Sequence, residues 1–569
     1  MSTDRSATLD SDVVILGSGG AALAAAVTAA QARLKVIVLE RATVLGGTSA
    51  ISGGALWIPG TRQAVAGGFK DSSEQARTYL RQVLGESYRD DIIEAFLRRG
   101  PEALAFLEDH TELKYSVRNL SPDYHPELPG ATDCGRALEV GEFDGAKLGA
   151  YFERLRPPPR CMMGFGGMMV NRLDIYHFLN MRRSLKSFIH LARLTARFAI
   201  DRLKYSRGTR LVIGNAMIAA LLKAAIDKGV DFRFGVETTS FLTDPAGSVV
   251  GVMAREANGL ILHIQAHSGV VLGTGGLSRH ADVLKERPGT RSDHISMAAP
   301  HADGAMISLA NRQLNAQVGG HLQENFYWAP MSEMKDAHGA KVVFPHIVTD
   351  RAKPGIIAVT EGGERFVNEA NSYHRFVQAM MAEQRRGVAR FYLIADRRAL
   401  NAYGLGLVRA RPGLHRHFLE TGYLIESGSI PALATRLNID SSALQRTIQE
   451  FNEDATAGID RRFHRGISSY NRAMGDANAK HSTLAPLDNP PFYAVRIVTG
   501  DLGSAKGLMT DAEARVLRTD GSIIRGLYAV GTDMNSVMGG TYPGPGIVLG
   551  TGLTFGYVAA RSIIERIAP

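Results

Sequence analysis

The sequence predicts an α/β protein in which a second, α+β domain is inserted into a discontinuous dinucleotide-binding domain. A β-branched run and a glycine cluster open the chain, a second glycine turn follows residue 272, and a strand–glycine–helix pattern closes it. The 569 residues exceed one ordinary core, at roughly 150 residues per domain. We expect residues 1–285 and 485–569 to form the first domain and 286–484 the inserted one.

Composition places the chain among globular proteins and argues against a nucleic-acid partner. Hydrophobic residues make up 45% and charged residues 21%. The net charge is +9, but ten Lys and Arg stand against two Asp between Asn171 and Arg210, so this stretch alone carries +8. A local basic segment without a nucleic-acid-binding motif does not indicate nucleic-acid recognition.

The cysteine count and the N-terminus bear on compartment and on metal binding. Cys134 and Cys161 are too few for a disulfide framework or a thiolate metal site, and they suit a reducing, cytoplasmic compartment. The N-terminal residues lack the apolar core of a secretory signal, and no apolar run of about 18 residues predicts a transmembrane helix. Neither metal-ligand spacing nor a nucleophile elbow occurs, so we expect no metal.

The first element is a dinucleotide-binding fingerprint. Residues 12–16 (DVVIL) predict a buried parallel strand, a glycine turn and a helix follow, and the next strand ends at Glu40. Gly17 permits the tight turn, and Gly19 allows the backbone to approach a pyrophosphate at the helix N-terminus. Glu40 lies 23 residues after Gly17, where a carboxylate can accept a hydrogen bond from a ribose hydroxyl.

The basic segment, residues 171–205, has helical periodicity with interleaved apolar and basic positions. One interpretation is a helix face exposed to solvent. The alternative is a peripheral membrane contact, a helix lying on the bilayer surface near the mouth of a site for a lipophilic substrate.

Further glycine-rich segments follow at intervals. Residues 46–54 (GGTSAISGG) form a loop rich in backbone donors and small hydroxyls, and Gly273 to Gly276 follow a predicted strand. Near the C-terminus a strand leads into Gly531 and Asp533, and a glycine–proline loop then opens an apolar helix over 547–567.

Together, the segments GSGGAALAAA, GGTSAISGG, GTGG, GERFVNE and GLYAVGTDMNSVMGGTYPGPGIVLGTGLTFGYVAAR resemble the fumarate reductase/3-ketosteroid dehydrogenase superfamily of flavoproteins. The resemblance implies a Rossmann-like domain with non-covalent FAD, a substrate held between the flavin and the inserted domain, and a separate electron acceptor that no motif identifies. It also implies a set of cofactor-binding residues. These are Gly17, Ser18, Gly19, Gly20, Ala21, Glu40, Arg41, Gly47, Thr48, Ser49, Ser52, Gly53, Gly54, Gly275, Gly531, Asp533, Ile547, Val548 and Leu549.

Two parts of this set have specific implied roles. Asp533 is expected at the ribityl chain, and the backbone N–H groups of Ile547 to Leu549 at the flavin N1/C2 carbonyl region, where a helix N-terminus favours negative charge. The chain departs from related ketosteroid enzymes at Thr532, where Asn is common, and at Val548, where threonine is common.

The C-terminal motif separates the branches of the superfamily. Clamping a dicarboxylate requires cations, yet no Lys, Arg or His occurs from Asp533 to Ala560. Residues 542–546 (YPGPG) resemble the tyrosine-x-x-x-glycine element of 3-ketosteroid Δ1-dehydrogenases. The expected reaction is therefore α,β-dehydrogenation of an apolar, steroid-like ketone. The alternatives are a fumarate reductase-like ene-acid or enone reductase, a Δ4-type ketosteroid dehydrogenase, and a non-enzymatic flavin-binding module.

The same resemblance assigns four catalytic residues. Tyr373 matches the base that removes the α proton, and Tyr124 matches the tyrosine that supports this base by hydrogen bonding. The Tyr542 hydroxyl and the Gly546 N–H would stabilise charge on the substrate carbonyl oxygen as a small oxyanion hole.

Other residues near these motifs have open interpretations. His125 and His374 adjoin the tyrosines and are alternative proton acceptors. Arg365 and Glu369 are interpreted as a structural ion pair, with a proton relay as the alternative. The aromatic run 326–328 is either pocket wall or core.

Overall fold

The computed structural model shows a mixed α/β protein, which confirms the predicted class. It describes residues 6–159, 162–164, 166–181, 184–281, 283, 293–410, 413 and 415–567. Cys161 lies outside these ranges, as do Arg182 and Arg183 of the basic segment 171–205.

The first sheet has eight strands and brings the glycine turns to one edge. Three neighbouring strands run parallel, with Ser6–Leu16 between Val36–Glu40 and Ile261–Leu272. Their β-branched, apolar residues are buried, as expected of a parallel sheet covered on both faces. The other strands are Asp231–Phe234, Val236–Thr243, Val249–Glu256, Arg515–Leu517 and Ile523–Ala529. Since parallel strands end at the same edge, the turns after Leu16, Leu272 and Ala529 converge.

Helices of the first sheet include Gly20–Gln31, Ile213–Asp227 and the C-terminal helix, Ile547–Ile567. Within the described chain, only the C-terminal helix has the length and hydropathy to cross a membrane; 72% of its apolar window is buried inside the protein. It packs against Gly20–Gln31 and against the long helix Asp90–His110, as a core helix does.

The second sheet has seven strands centred on Phe492–Ser504. Its other members are Ile295–Ser296, Phe326–Lys335, Lys341–Pro345, Ile356–Thr360, Phe391–Asp396 and Ile425–Ser427. The sequence analysis places residues after 485 with the first domain, but the chain rejoins the first sheet only at Arg515–Leu517. An apolar run in the sequence predicts a strand, but it does not predict the strands with which that strand pairs. The limits 1–285, 286–484 and 485–569 stay a prediction.

Shorter elements complete the fold. Small sheets pair Leu56–Trp57 and Tyr115–Val117 with Ala137–Val140, Phe143–Asp144 with Arg210–Leu211, and Met163–Gly164 with Met168–Met169. The remaining α-helices of the described residues are Gly47–Ala50, Arg62–Ala66, Ser73–Leu84, Arg172–Asn180, Leu185–Asp201, Ala305–Leu314, Tyr373–Arg385, Arg397–Tyr403, Arg416–Glu420, Ile430–Leu437, Ser441–Ala457 and Ser469–Met474, and 3₁₀ helices span Gly85–Ser87 and Gly145–Phe152.

Candidate active site

A continuous cavity of about 1440 Å³ lies between the two sheets. Its wall starts at the convergent glycine turns of the first sheet. It continues past the three predicted catalytic tyrosines to apolar side chains of the second sheet. This volume exceeds the roughly 300–1,000 Å³ of an ordinary ligand pocket and suits a dinucleotide together with a second molecule.

The nucleotide end is built from backbone. Gly17 has φ +95°, and a Cβ there would lie 2.3 Å from the Gly273 carbonyl oxygen, so only glycine lets the two strand ends meet. The helix Gly20–Gln31 has no side-chain cap at Gly19, although the Gly20 N–H donates to Ser49 Oγ at 3.1 Å. Its N-terminus thus presents N–H groups to the cavity, as a pyrophosphate requires.

Glu40 lies at the expected strand end and is held in place by its neighbours. The Ser18 hydroxyl donates to Glu40 Oε2 at 2.5 Å, and the Ala42 N–H donates to Oε1 at 2.8 Å. Ser18 also accepts from the Gly46 N–H at 3.0 Å. Because a carboxylate has about four lone-pair sites, Glu40 can still accept from a ribose.

Most of the predicted cofactor residues line the cavity. They are Gly17, Ser18, Gly19, Gly20, Ala21, Glu40, Arg41, Gly47, Thr48, Ser49, Ser52, Gly53, Gly54, Gly275, Gly531, Val548 and Leu549. Glycine and small side chains predominate among these residues, and Glu40 is the acidic member. These residues fit FAD.

Two predicted cofactor residues do not line the cavity, and their contacts with the cofactor stay a prediction. Asp533 is fully buried, and its oxygens accept from the Thr274 N–H at 2.5 Å, the Thr274 hydroxyl at 2.7 Å and the Gly276 N–H at 2.8 Å. It therefore fastens the second glycine turn. Ile547 is buried, and its N–H donates to the Gly544 carbonyl at 3.4 Å. The sequence alone does not show that both residues are hydrogen-bonded to other parts of the chain.

At the other end, three predicted tyrosines come together. The Tyr124 hydroxyl donates to the Tyr373 hydroxyl at 3.1 Å, with the rings edge to face. The Tyr542 ring lies 5.2 Å from that of Tyr373 and 5.4 Å from that of Tyr124, measured between centroids. All three side chains are buried and line the cavity.

Local structure fixes each tyrosine. Tyr373 opens the helix Tyr373–Arg385, which Ser372 caps by accepting from the Arg375 N–H. Tyr124 lies on a proline-containing loop, and its N–H donates to the Pro543 carbonyl at 2.9 Å. This contact joins the loops of Tyr124 and Tyr542.

A buried tyrosine, Tyr79, holds the C-terminal motif of residues 542–546 in place. The Tyr79 hydroxyl donates to the same Pro543 carbonyl at 2.6 Å. Gly546 has φ +100°, and a Cβ there would lie 2.5 Å from the Ala55 carbonyl oxygen, so glycine is required at this close approach. Gly546 also lines the cavity beside Tyr542.

The sequence analysis missed one member of the tyrosine cluster. Tyr470, on the helix Ser469–Met474, lies 5.0 Å from Tyr124 between ring centroids and lines the cavity. Ser468 marks the start of that helix, but no local signal pairs Tyr470 with Tyr124. Tyr327 also belongs to the wall, 5.6 Å from Tyr542, and its hydroxyl donates to Ser536 Oγ at 2.9 Å.

Burial governs ionisation in this cluster. It raises the pKa of Tyr124 and of Tyr373 well above the ordinary value near 10, and the pKa of Tyr542 to about 12. The three phenols are therefore neutral at rest near pH 7.

The two histidines are less suited to accept a proton. His374 Nδ1 accepts from the Trp328 N–H at 3.2 Å, so its neutral ring carries the proton on Nε2 and presents a donor there. Burial lowers the pKa of His374 to about 3 and that of His125 to about 4. Neither histidine lines the cavity.

Arg365 and Glu369 form the ion pair expected from the sequence, within a larger buried network. Two Arg365 nitrogens donate to Glu369 at 2.8 and 2.7 Å, Arg365 also donates to Asp460, and Arg465 donates to Glu369 at 3.1 Å. Burial alone would raise the pKa of Glu369, but the two arginines outweigh it and lower that pKa. The network lies off the cavity wall, as a structural role requires.

The wall also carries cations that lie outside the C-terminal motif. Arg118 is largely buried, its Nε lies 3.8 Å from Glu139 and has no hydrogen-bond partner among the described residues. Lys353 is committed to the Met474 and Gly475 carbonyls at 2.8 and 2.6 Å. The absence of cations from 533–560 therefore does not extend to the whole cavity.

Comparisons with known proteins identify the family of the chain. Residues 12–549 match the FAD binding domain family. The chain is 35% identical to 4-oxocyclohex-2-ene-1-carboxylate 5-dehydrogenase of Sinomonas cyclohexanicum, over 98% of this chain and 94% of that one. It is 32% identical to 3-oxosteroid 1-dehydrogenase of Mycolicibacterium smegmatis, over 98% of each.

Solved structures show the same relationship. The 3-ketosteroid Δ1-dehydrogenase of Sterolibacterium denitrificans, crystallised with 1,4-androstadiene-3,17-dione, aligns with a TM-score of 0.90 and 32% identity, covering 98% of this chain and 100% of that one. A flavocytochrome c3 fumarate reductase (TM-score 0.63, 19% identity, 98% and 78% covered) shares the fold. The predictions of FAD and of the flavoprotein superfamily are confirmed. The chain belongs to the FAD-binding flavoenzyme family that includes the 3-oxosteroid 1-dehydrogenases, and it is an FAD-dependent oxidoreductase acting on CH–CH groups.

Proposed function

We propose that this protein introduces a C=C bond next to the carbonyl of an apolar, 3-ketosteroid-like ketone. The observation that carries the proposal is the buried Tyr124–Tyr373 hydrogen bond beside Tyr542 and Gly546, on the wall of the cavity that also includes the nucleotide end. This arrangement supplies one proton acceptor and two donors for a carbonyl oxygen.

The residues divide the reaction between them. The Tyr542 hydroxyl and the Gly546 N–H donate to the substrate carbonyl oxygen and stabilise the negative charge that develops there. The phenolate fraction of Tyr373 accepts the proton from the α carbon and becomes the neutral phenol, and Tyr124 orients the Tyr373 oxygen by donating to it. Bound FAD would supply the acceptor for the hydride that leaves the β carbon. The substrate thus loses one proton and one hydride, and the electrons of the α C–H bond form the double bond.

The fold supports the arrangement of domains that this chemistry needs. We infer a discontinuous, Rossmann-like FAD-binding domain around the first sheet, with the second sheet in an inserted catalytic domain that caps the substrate. Support comes from the convergent glycine turns on one side of the cavity and the tyrosine-bearing helices on the other. An electron acceptor outside the chain then completes the cycle.

The cavity wall favours a large apolar skeleton. Beyond the tyrosines it is lined by apolar side chains of the second sheet and its loops: Met334, Val342, Phe344, Ile347, Leu407, Val408 and Phe418. Burial of such a skeleton against these residues contributes roughly 25 cal/mol per Å² of apolar surface.

A smaller keto acid is a second candidate. Arg118, whose Nε has no hydrogen-bond partner in the described chain, lies on the cavity wall and can pair with a carboxylate. The 35% identity to a 4-oxocyclohexene carboxylate dehydrogenase suggests what this keto acid is: a ring ketone with a carboxylate at the opposite end of the molecule.

Anaerobic mixing of the holoenzyme with a substrate panel tests the proposal. We expect a 3-ketosteroid to reduce the flavin faster than 4-oxocyclohexanecarboxylate, with Arg118→Gln slowing only the keto acid. Faster reduction by the keto acid would assign the second candidate. Fumarate turnover with a reduced dye, at rates equal to any ketone's, would overturn the ketone assignment, and a flavin that no ketone reduces would indicate a binding module.

A further inference from the structure

The described part of the basic segment 171–205 contains two helices, Arg172–Asn180 and Leu185–Asp201, that pack against each other. These two helices, here called the basic hairpin, bury polar side chains such as Asp174 and Ser187. Leu194 is buried as well, but many of the large apolar side chains of the segment are exposed. Of the 14 exposed large hydrophobic residues in the described chain, eight lie in this segment: Leu173, Ile175, Tyr176, Leu185, Phe188, Ile189, Ile200 and Leu203.

Inward-facing hydrogen bonds account for the buried polar groups. Asp174 accepts from Arg210 at 3.0 Å and lies 2.8 Å from His190 Nε2, while His177 Nδ1 lies 3.0 Å from Ser187 Oγ. These contacts hold the two helices together and attach them to the body of the protein. They also fix which face points outward.

The outward face is cationic as well as apolar. Both acidic residues of the segment are engaged inward, since Asp201 accepts from the Thr209 N–H at 2.7 Å. The exposed cations are Arg172, Lys186, Arg193, Arg202 and Lys204, and none of them is ion-paired with a carboxylate among the described residues. Exposed Leu, Ile and Phe interleaved with Lys and Arg are the composition of a surface that binds anionic lipid.

The hairpin borders the mouth of the catalytic cavity. Ile175 and Tyr176 are exposed and also line the cavity. Two further exposed apolar side chains from other parts of the chain, Leu120 and Val348, do the same. The exposed apolar surface is therefore continuous with the entrance through which a substrate reaches Tyr373.

We propose that the basic hairpin docks on an anionic lipid membrane, with its apolar side chains in the headgroup boundary and the cavity mouth toward the bilayer. A second copy of the chain is a poor occupant, because a two-fold interface would set five cations against five. The membrane contact stands without the proposed substrate. Uptake of an apolar ketone from the bilayer rests on the proposed function.

Vesicle sedimentation of the holoenzyme tests the contact. The wild type should pellet with vesicles of phosphatidylglycerol and phosphatidylcholine, bind phosphatidylcholine alone more weakly, and dissociate as salt is raised. The double variants Lys186→Glu/Arg193→Glu and Leu185→Ser/Leu203→Ser should each bind anionic vesicles at least about tenfold more weakly. None of these four residues lines the cavity, so flavin content and ketone-driven flavin reduction should not change.

Matched variants elsewhere on the surface serve as controls. Arg416→Glu/Arg446→Glu reverses two exposed charges, and Ile459→Ser/Ile467→Ser removes two exposed apolar side chains. Both should bind as the wild type does. The proposal is overturned if the wild type stays in the supernatant with anionic vesicles, or if the hairpin and control variants bind alike. Self-association that the Leu185→Ser/Leu203→Ser variant abolishes, without vesicle binding, would assign the surface to a second copy. Since no ketone enters the sedimentation assay, these outcomes leave the proposed function untouched.

Discussion

The hydroxyl oxygens of Tyr124 and Tyr373 lie 3.1 Å apart inside a buried group of tyrosine rings, with Tyr124 as the donor. A donor to a phenol oxygen stabilises the phenolate, while burial of the pair disfavours it. The balance between these two effects sets how readily Tyr373 can accept a proton.

The first prediction concerns Tyr373. Replacing it with Phe keeps the ring and removes the proton acceptor, so flavin reduction by a 3-ketosteroid should slow by about 100-fold or more. Binding of a 3-keto product analogue should change little. Stopped-flow absorbance of the flavin measures the rate, and Tyr528→Phe, a buried tyrosine off the cavity wall, is the control. An unchanged rate would remove Tyr373 as the base.

The second prediction concerns Tyr542. Its replacement by Phe removes one donor to the carbonyl oxygen, so both analogue binding and flavin reduction should suffer, the latter by about 100-fold. Equilibrium titration of the product analogue separates this variant from Tyr373→Phe. Equal affinity of the two variants for the analogue would contradict the assigned roles.

A third prediction concerns pH. Because burial raises the pKa of Tyr373, only a small fraction is phenolate at neutral pH, and flavin reduction should speed up as pH rises. Tyr124→Phe removes the donor that favours the phenolate, so the pKa of Tyr373 should rise further and the profile should move to higher pH. The rate at neutral pH should fall by about 10- to 100-fold, since a hydrogen bond to a charged group is worth roughly 1.5–3 kcal/mol. Alkaline pH should restore part of it, and a merely structural defect would not respond this way.

The buried ion network gives a fourth prediction, about stability. Glu369→Gln leaves Arg365 and Arg465 without their shared carboxylate, so the free energy of unfolding should fall by about 3 kcal/mol. Glu364→Gln, which loses an exposed pair with Arg462, should stay within about 1 kcal/mol of wild type. Urea unfolding followed by circular dichroism measures both. If folded Glu369→Gln protein reduced its flavin far more slowly than wild type, a proton relay would replace the structural role.

The fifth prediction concerns the attachment of FAD. Glycine backbone and Glu40 line the nucleotide end of the cavity, and we expect no covalent bond to the flavin. Acid precipitation should release all the flavin as the dinucleotide into the supernatant. Flavin that stays in the pellet would contradict this.

Local sequence determined the elements whose signal is contained in a short segment. These elements are the β-branched run before Gly17, the acid at the end of the next strand and the glycines at close backbone approaches. Each depends on backbone geometry that residues adjacent in the sequence impose. Resemblance along the chain added Tyr124, Tyr373 and Tyr542, and the structure brings these three together.

Tertiary structure alone decided what depends on groups distant in the sequence. Asp533 accepts hydrogen bonds from the Thr274–Gly276 turn, Tyr470 packs in the tyrosine cluster, and Arg118 lies on the cavity wall. Each of these contacts joins elements that are distant in the sequence, and no local sequence pattern pairs them. The basic hairpin shows the same limit most clearly. Its periodicity predicted helices, but only the packing of Asp174 and Ser187 inward decided that its apolar face points away from the protein.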